Sequence, residues 1–173
     1  MLGECIIGVD PGVSGAIAAV GPDGRHLAHM LMPVVKVGTR SRVNGAAVSA
    51  FLRGMPGIRH VFIEQVGAMP GQGVSSMFTF GHCAGLVEGV VTGLGHPMTL
   101  VTPQAWKKRA GLIGLDKDAA RSRAVQLFPG VRDLDLKGKG QAVADALLIA
   151  RDGWMSLAMD TFREEARHAD RGL

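Results

Sequence analysis

Three acids in this 173-residue chain sit at the ends of apolar runs. Asp10 follows Cys5-Ile6-Ile7-Gly8-Val9, Glu64 follows Val61-Phe62-Ile63, and Asp145 precedes Ala146-Leu147-Leu148-Ile149-Ala150. An unpaired buried carboxylate costs several kcal/mol, so an apolar strand that stops on an acid needs a compensating charge. Three such acids brought together repel one another until a divalent cation neutralises them. Mg²⁺ is a hard cation that takes oxygen ligands and keeps part of its water shell. Two such ions about 4 Å apart activate a water and stabilise the leaving oxygen of a phosphodiester. The pattern outlines a metal-dependent nuclease. Each acid alone has an ordinary reading: Asp10 as a turn former before Pro11-Gly12, Glu64 as a sheet-edge charge, Asp145 as a first-turn helix residue favoured by the dipole. Their combination carries the case.

Turn signals and periodicity supply the elements that would position these acids. Residues 4–10, 15–20 and 26–33 read as three short strands separated by Pro11-Gly12 and Pro22-Asp23-Gly24. Two tight connections in a row imply an antiparallel meander. Residues 34–43 read as a basic, irregular loop. Asn44 caps a helix to about Met55 that Pro56-Gly57 ends. A fourth strand, 58–64, follows; the intervening helix lets it run parallel to the first, which sets Asp10 beside Glu64.

Residues 67–73 form a glycine-rich loop next to that site. A helix over about 76–94, capped by Ser75, carries Gly81, Gly85, Gly89 and Gly93 on one face. Glycine costs about 1 kcal/mol in a helix interior, so the row implies close backbone approach, either onto the sheet or to a second helix across a dimer axis. Residues 97–102 make a fifth strand. Thr102 and Pro103 open a short helix containing Trp106, Lys107, Lys108 and Arg109, with Trp106 read as a core anchor. Asp116 is expected to cap a helix over 117–128, residues 131–140 read as a loop, and a last helix spans about 141–159. A charged tail beyond Arg163 is expected to fray. Length and composition (47% apolar, 20% charged) imply one domain over 1–160 followed by a tail at 161–173.

The basic charge is unevenly spread. Residues 103–140 hold nine Lys/Arg against four acids, while residues 141–173 hold four against six. A basic segment between the second and third acids reads as a track for a phosphate backbone. The cysteines, Cys5 and Cys83, lack metal-ligand spacing and read as reduced core thiols. Scattered histidines without HxH or HExxH spacing argue against zinc. The start lacks a basic n-region, and the apolar stretch 84–101 is broken by Glu88, His96 and Pro97. Neither a signal peptide nor a membrane span is expected.

The order of elements is that of an α/β ribonuclease-H-like fold, a five-stranded mixed sheet (three antiparallel strands, then parallel ones) flanked by helices. Within it, Ile6-Ile7-Gly8-Val9-Asp10-Pro11-Gly12, Phe62-Ile63-Glu64-Gln65 and Ala144-Asp145-Ala146-Leu147-Leu148-Ile149-Ala150 resemble RuvC-type Holliday junction resolvases. Met69-Pro70-Gly71-Gln72-Gly73-Val74-Ser75-Ser76 and Val101-Thr102-Pro103-Gln104-Ala105-Trp106-Lys107-Lys108 are more similar to the phage, bacterial and plastid branch of that group. The resemblance covers about residues 5–153. It implies a homodimeric, cytoplasmic endonuclease, bacterial or phage-encoded, that makes paired nicks in four-way DNA junctions with Mg²⁺ or Mn²⁺, two ions per site.

Carried over by position, Asp10, Glu64 and Asp145 would be the metal-binding acids, and Lys107 and Lys117 would lie near the scissile phosphate. Met69 would act at the junction centre. Arg40, Arg42, Lys108, Arg121, Lys137 and Lys139 are candidate backbone contacts. The implied reaction is in-line attack of a metal-bound water with no covalent enzyme intermediate. One departure stands out: many such proteins carry an acid or histidine three residues before the last acid, where this chain has Ala142. Either three acids suffice, or Gln141 or Asp135 helps indirectly, or activity is weak. The alternatives are a non-catalytic branched-DNA-binding protein and a related nuclease for flaps, forks or RNA–DNA hybrids. An ATP-handling protein of the actin and sugar-kinase superfamily would need two copies of the fold.

Overall fold

In the computed structural model, which describes residues 3–170 except 66, 68–70, 72 and 117, the apolar run ending on Asp10 is the central strand of the sheet. In chain order the elements are β1 (Cys5–Asp10), β2 (Ala16–Val20), β3 (His26–Leu31), β4 (Val34–Val37), β5 (Arg40–Val43), α1 (Gly45–Arg53), β6 (Ile58–Glu64), α2 (Val74–Gly93), β7 (Met98–Val101), α3 (Pro103–Arg109), α4 (Ala119–Leu127) and α5 (Lys139–Asp170). A 3-10 turn at Arg132–Asp135 precedes α5. The main sheet has the order β3-β2-β1-β6-β7. β1, β2 and β3 form the expected antiparallel meander, and β6 and β7 add in parallel. Val9 pairs with Ile63, so Asp10 and Glu64 follow as neighbours at one end of the sheet.

The two faces of β1 feed two cores, as a period of two requires. Cys5, Ile7 and Val9 pack with α1 and α2, whereas Ile6 packs under α5. Gly8 shares the α5 face, and a side chain there would overlap the Ala146 carbonyl oxygen and the Ala150 nitrogen. The helix therefore lies directly on the strand. Farther along, Gly153 meets the ring of Phe62 on β6 with no room for a Cβ. These two contacts lay α5 across β1 and β6 on the face that carries Asp10 and Glu64. Asp145 stands one residue before Ala146. The three acids are thus brought to the N-terminal end of α5, above the C-terminal ends of two adjacent parallel strands.

Several boundaries differ from the sequence reading. Residues 34–43 are not an irregular loop but the β4–β5 hairpin, closed at Gly38-Thr39 with Gly38 at φ +62°. α2 starts at Val74 under Gly73, so Ser75 lies inside the first turn rather than capping it. α4 starts at Ala119 after Asp118; Asp116 Oδ1 instead accepts from the Asp118 N–H at 3.0 Å, forming a local turn before the helix. α5 continues to Asp170 where fraying was expected, since no glycine or proline follows Gly153 until Gly172. Asn44 and Thr102 cap α1 and α3 as expected, accepting from Ala47 N and Ala105 N, both at 3.2 Å.

The glycine row on α2 faces away from the sheet. Gly81, Gly85, Gly89 and Gly93 are exposed, and a Cβ at any of them would meet nothing within 4 Å. Packing onto the sheet is therefore not what the row serves; the buried side of α2 is Cys83, Ala84, Val87 and Val91. By length and composition α2 passes for a membrane span, as helices packed on a core also do. Both cysteines are free and buried, and burial pushes the Cys5 thiol up to about 11.

Candidate active site

β1 delivers Asp10, β6 delivers Glu64 and the first turns of α5 deliver Asp145, each carboxyl half-buried. α3 supplies the other side of the site. β7 ends at Val101, which pairs with Glu64, and the Thr102 cap turns the chain back so that α3 crosses the same end. Trp106 is fully buried and its indole Nε1–H donates to Glu64 Oε1 at 2.9 Å. Lys107 follows, its Nζ 5.2 Å from the centroid of the Trp106 ring.

Burial dominates the electrostatics of the three acids, with like-charge repulsion adding to it at Glu64 and Asp145. Burial, then the charges of Asp10 and Glu64, push the Asp145 carboxyl up to about 7, with Lys107 and a hydrogen bond from Gln141 opposing. Burial raises Glu64 as well, offset in part by the Trp106 hydrogen bond, while Asp10 adds to the rise. Asp10 is raised by burial against the Gly12 N–H and the Lys107 charge. Lys107 is thus the cation common to all three acids.

Each acid also has a local donor. Asp10 Oδ1 accepts from the Gly12 N–H at 3.2 Å, Glu64 from Trp106, and Asp145 Oδ1 from Gln141 Nε2 at 2.9 Å. Among the described residues, no three His, Cys, Asp or Glu side chains stand close enough to enclose a metal ion. The donor set nevertheless fits a hard divalent cation, because its groups are carboxylate oxygens.

A cleft of about 310 Å³ opens beside Asp145, lined by Lys107, Asp116, Gln141 and the apolar Leu112, Leu115 and Ala120. Lys117, the second expected catalytic lysine, follows Asp116 in sequence but lies outside the described residues, as does Met69. Lys108 is exposed on α3, and Lys137 and Lys139 are exposed where the chain enters α5. Arg40 and Arg42 are exposed on β5, next to Phe78 and His82 of α2. Arg121 is committed within the fold: Nη1 donates to the Leu134 carbonyl at 3.3 Å and Nε lies 3.8 Å from Asp118.

Sequence reasoning treated Trp106 as core only. The signal available was that a buried indole N–H needs an acceptor. It also passed over Arg109, whose Nε and Nη2 donate to the two oxygens of the buried Asp152 at 2.6 and 2.5 Å, binding α3 to α5.

No family model matches the chain. It is 34% identical over 90 residues, 51% of its length, to a protein of Chlamydomonas reinhardtii described as "Holliday junction resolvase MOC1, chloroplastic", and it spans only 10% of that relative. Among solved structures it resembles T. thermophilus RuvC in complex with a Holliday junction substrate, with a TM-score of 0.68 and 21% identity over 91% of this chain and 97% of that one. A second Thermus thermophilus RuvC structure gives a TM-score of 0.55 at 18% identity with the same coverage. The fold is that of RuvC.

Proposed function

We propose that this chain is a Holliday junction resolvase, a metal-dependent endonuclease that makes paired symmetric nicks in four-way DNA junctions. One observation carries the reading: Asp10, Glu64 and Asp145 crowd together with Lys107 at the strand ends of a RuvC fold, with their carboxyls raised by burial and, for Glu64 and Asp145, by mutual repulsion. The plastid resolvase that matches half of this chain supports the substrate class.

Asp10, Glu64 and Asp145 would hold Mg²⁺, with Mn²⁺ able to substitute. Bound there, the ions supply an activated water and neutralise charge on the phosphate. The protein's own groups do the rest. Trp106 fixes one oxygen of Glu64, Lys107 offsets negative charge at the attacked phosphate, and Lys117 is assigned the same task. Lys108, Arg40, Arg42, Arg121, Lys137 and Lys139 are assigned to the DNA backbone, with Arg121 released from Leu134 to reach it, and Met69 to the junction centre. A two-fold junction calls for two sites, and the exposed face of α2, where Val74 and Phe78 continue the glycine row, suits a homodimer axis. The place of action that goes with this reading is the cytoplasmic nucleoid.

The test is cleavage of a labelled four-way junction beside linear duplex, with Mg²⁺, with Mn²⁺ and with EDTA. Symmetric metal-dependent nicks in the junction alone are expected, abolished by Asp10→Asn, Glu64→Gln or Asp145→Asn with junction binding retained. Tight junction binding without cutting in either metal would make the protein a binder. Retained nicking by Asp10→Asn would remove these acids from the chemistry.

A further inference from the structure

Gln141 Oε1 is a buried side-chain oxygen without a hydrogen-bond partner among the described residues. Such an atom has given up its hydrogen bonds to water without replacement, and folded proteins keep few of them. Its place in the fold says what it awaits. Gln141 precedes Asp145 by one helical turn, so the two side chains share a face of α5. Gln141 Nε2 donates to Asp145 Oδ1 at 2.9 Å. A carboxylate that holds a cation is ionised and only accepts, so the NH₂ end of the amide faces Asp145, which leaves the carbonyl end beside the carboxylate and unused. Both residues line the cleft that Lys107 and Asp116 share. Lys107 does not satisfy the orphan oxygen; its ammonium sits over the Trp106 ring. Ala142 is buried in the core and brings no donor.

We propose that Gln141 supplies a fourth oxygen to the ion site, with Oε1 binding the cation that Asp145 holds. The inference rests on the metal-dependent reading above. Amide oxygens are ordinary ligands of hard cations. The NH₂ end steadies Asp145 while the carbonyl end completes the donor set with a neutral ligand. A site with three charges and one neutral oxygen repels itself less than a four-acid site and binds its ion more weakly.

The test is Mn²⁺ binding to the full chain without DNA, by calorimetry and by the electron paramagnetic resonance signal of free Mn²⁺. Gln141→Ala is expected to weaken Mn²⁺ binding roughly tenfold or more. Gln141→Glu is expected to bind at least as tightly as the parent, because it restores an oxygen although it cannot donate to Asp145. Gln141→Met, close in volume, replaces the alanine variant should that one fail to fold. If Gln141→Glu loses as much affinity as Gln141→Ala, the residue only orients Asp145 and the ligand assignment falls. It falls equally if Gln141→Ala and Gln141→Met bind Mn²⁺ like the parent while Asp145→Asn does not, a result that leaves the metal-dependent reading intact. A parent chain that binds no Mn²⁺ takes down both.

Discussion

The buried indole of Trp106 donates to Glu64 Oε1 at 2.9 Å across 42 residues of sequence, joining the core of α3 to an acid of the site. The bond occupies one carboxyl oxygen and fixes the direction of the other. Trp106→Phe keeps an aromatic ring in the core but removes the N–H. It is expected to cost about 1.5–3 kcal/mol in denaturant unfolding, the range for a hydrogen bond to a charged group. Junction cleavage should fall roughly 10- to 100-fold, the effect of removing a group that orients a ligand, with junction affinity preserved. A cleavage rate equal to the parent's would return Trp106 to a packing role.

Gly8 and Gly85 are glycines with opposite surroundings. At Gly8 a methyl group would overlap backbone atoms of Ala146 and Ala150, so Gly8→Ala must lift α5 off β1. Overpacking against backbone costs about 1–3 kcal/mol or more, and the same movement pulls Asp145 from Asp10. Loss of stability and of cutting should therefore appear together. At Gly85 a methyl group meets nothing within 4 Å. Gly85→Ala should raise the stability of the isolated subunit by up to about 1 kcal/mol through helix propensity. If α2 forms the dimer axis, the same change lowers the average mass in sedimentation equilibrium. An unchanged mass at every concentration would exclude this face as the dimer contact.

Burial and the charges of Asp10 and Glu64 hold the Asp145 carboxyl up at about 7, well above the ordinary aspartate range. The folded state thus binds this proton more tightly than the unfolded chain. Its contribution to stability is fully present below about pH 4 and is lost as pH rises through about 7. At about 1.4 kcal/mol per pKa unit over roughly three units, the loss is of order 4 kcal/mol. A divalent cation held at Asp145, as proposed, would compete with the same proton, so stabilisation by Mg²⁺ should grow over that window. Thermal melts in EDTA and in Mg²⁺ at several pH values from 5 to 8 would show the two curves separating as pH rises. Asp145→Asn should flatten the EDTA curve. An equal Mg²⁺ shift at pH 5 and pH 8 would contradict the assignment.

The part of the site that depends on strand order was legible in the sequence. Turn residues fixed the meander, and a helix before β6 fixed its direction, so the adjacency of Asp10 and Glu64 followed. The caps at Asn44 and Thr102 were equally local. What stayed hidden depends on which face an element turns inward. Four-residue spacing placed the α2 glycines on one face but could not say that the face is open. The β4–β5 hairpin was missed because Gly38-Thr39 is a weak turn signal and the arginines beside it suggested a loop. The Trp106–Glu64 and Arg109–Asp152 bonds join residues 42 and 43 positions apart, beyond any spacing rule.

Arg109 and Asp152 fix the angle between the two helices that flank the site. Asp152 is 8% exposed while the Arg109 side chain is 51% exposed, so one partner is in the core and the other half in water. Burial of the carboxylate makes the pair asymmetric: Arg109→Ala strands a charge in the core, whereas removing both charges strands none. Breaking a fully buried pair costs 3–5 kcal/mol; with the guanidinium half solvated, about 2 kcal/mol is expected for Arg109→Ala. The double variant Arg109→Met/Asp152→Leu should unfold within about 1 kcal/mol of the parent, since apolar replacement of buried pairs is often neutral. Urea unfolding of the parent, the single variant and the double variant decides it. A double variant no more stable than Arg109→Ala would mean that the two hydrogen bonds, rather than relief of a buried charge, hold α3 against α5. Trp106 lies about one turn before Arg109 with Lys107 between them, and Asp145 lies two turns before Asp152. That outcome would therefore make the pair part of what keeps Lys107 facing the acids.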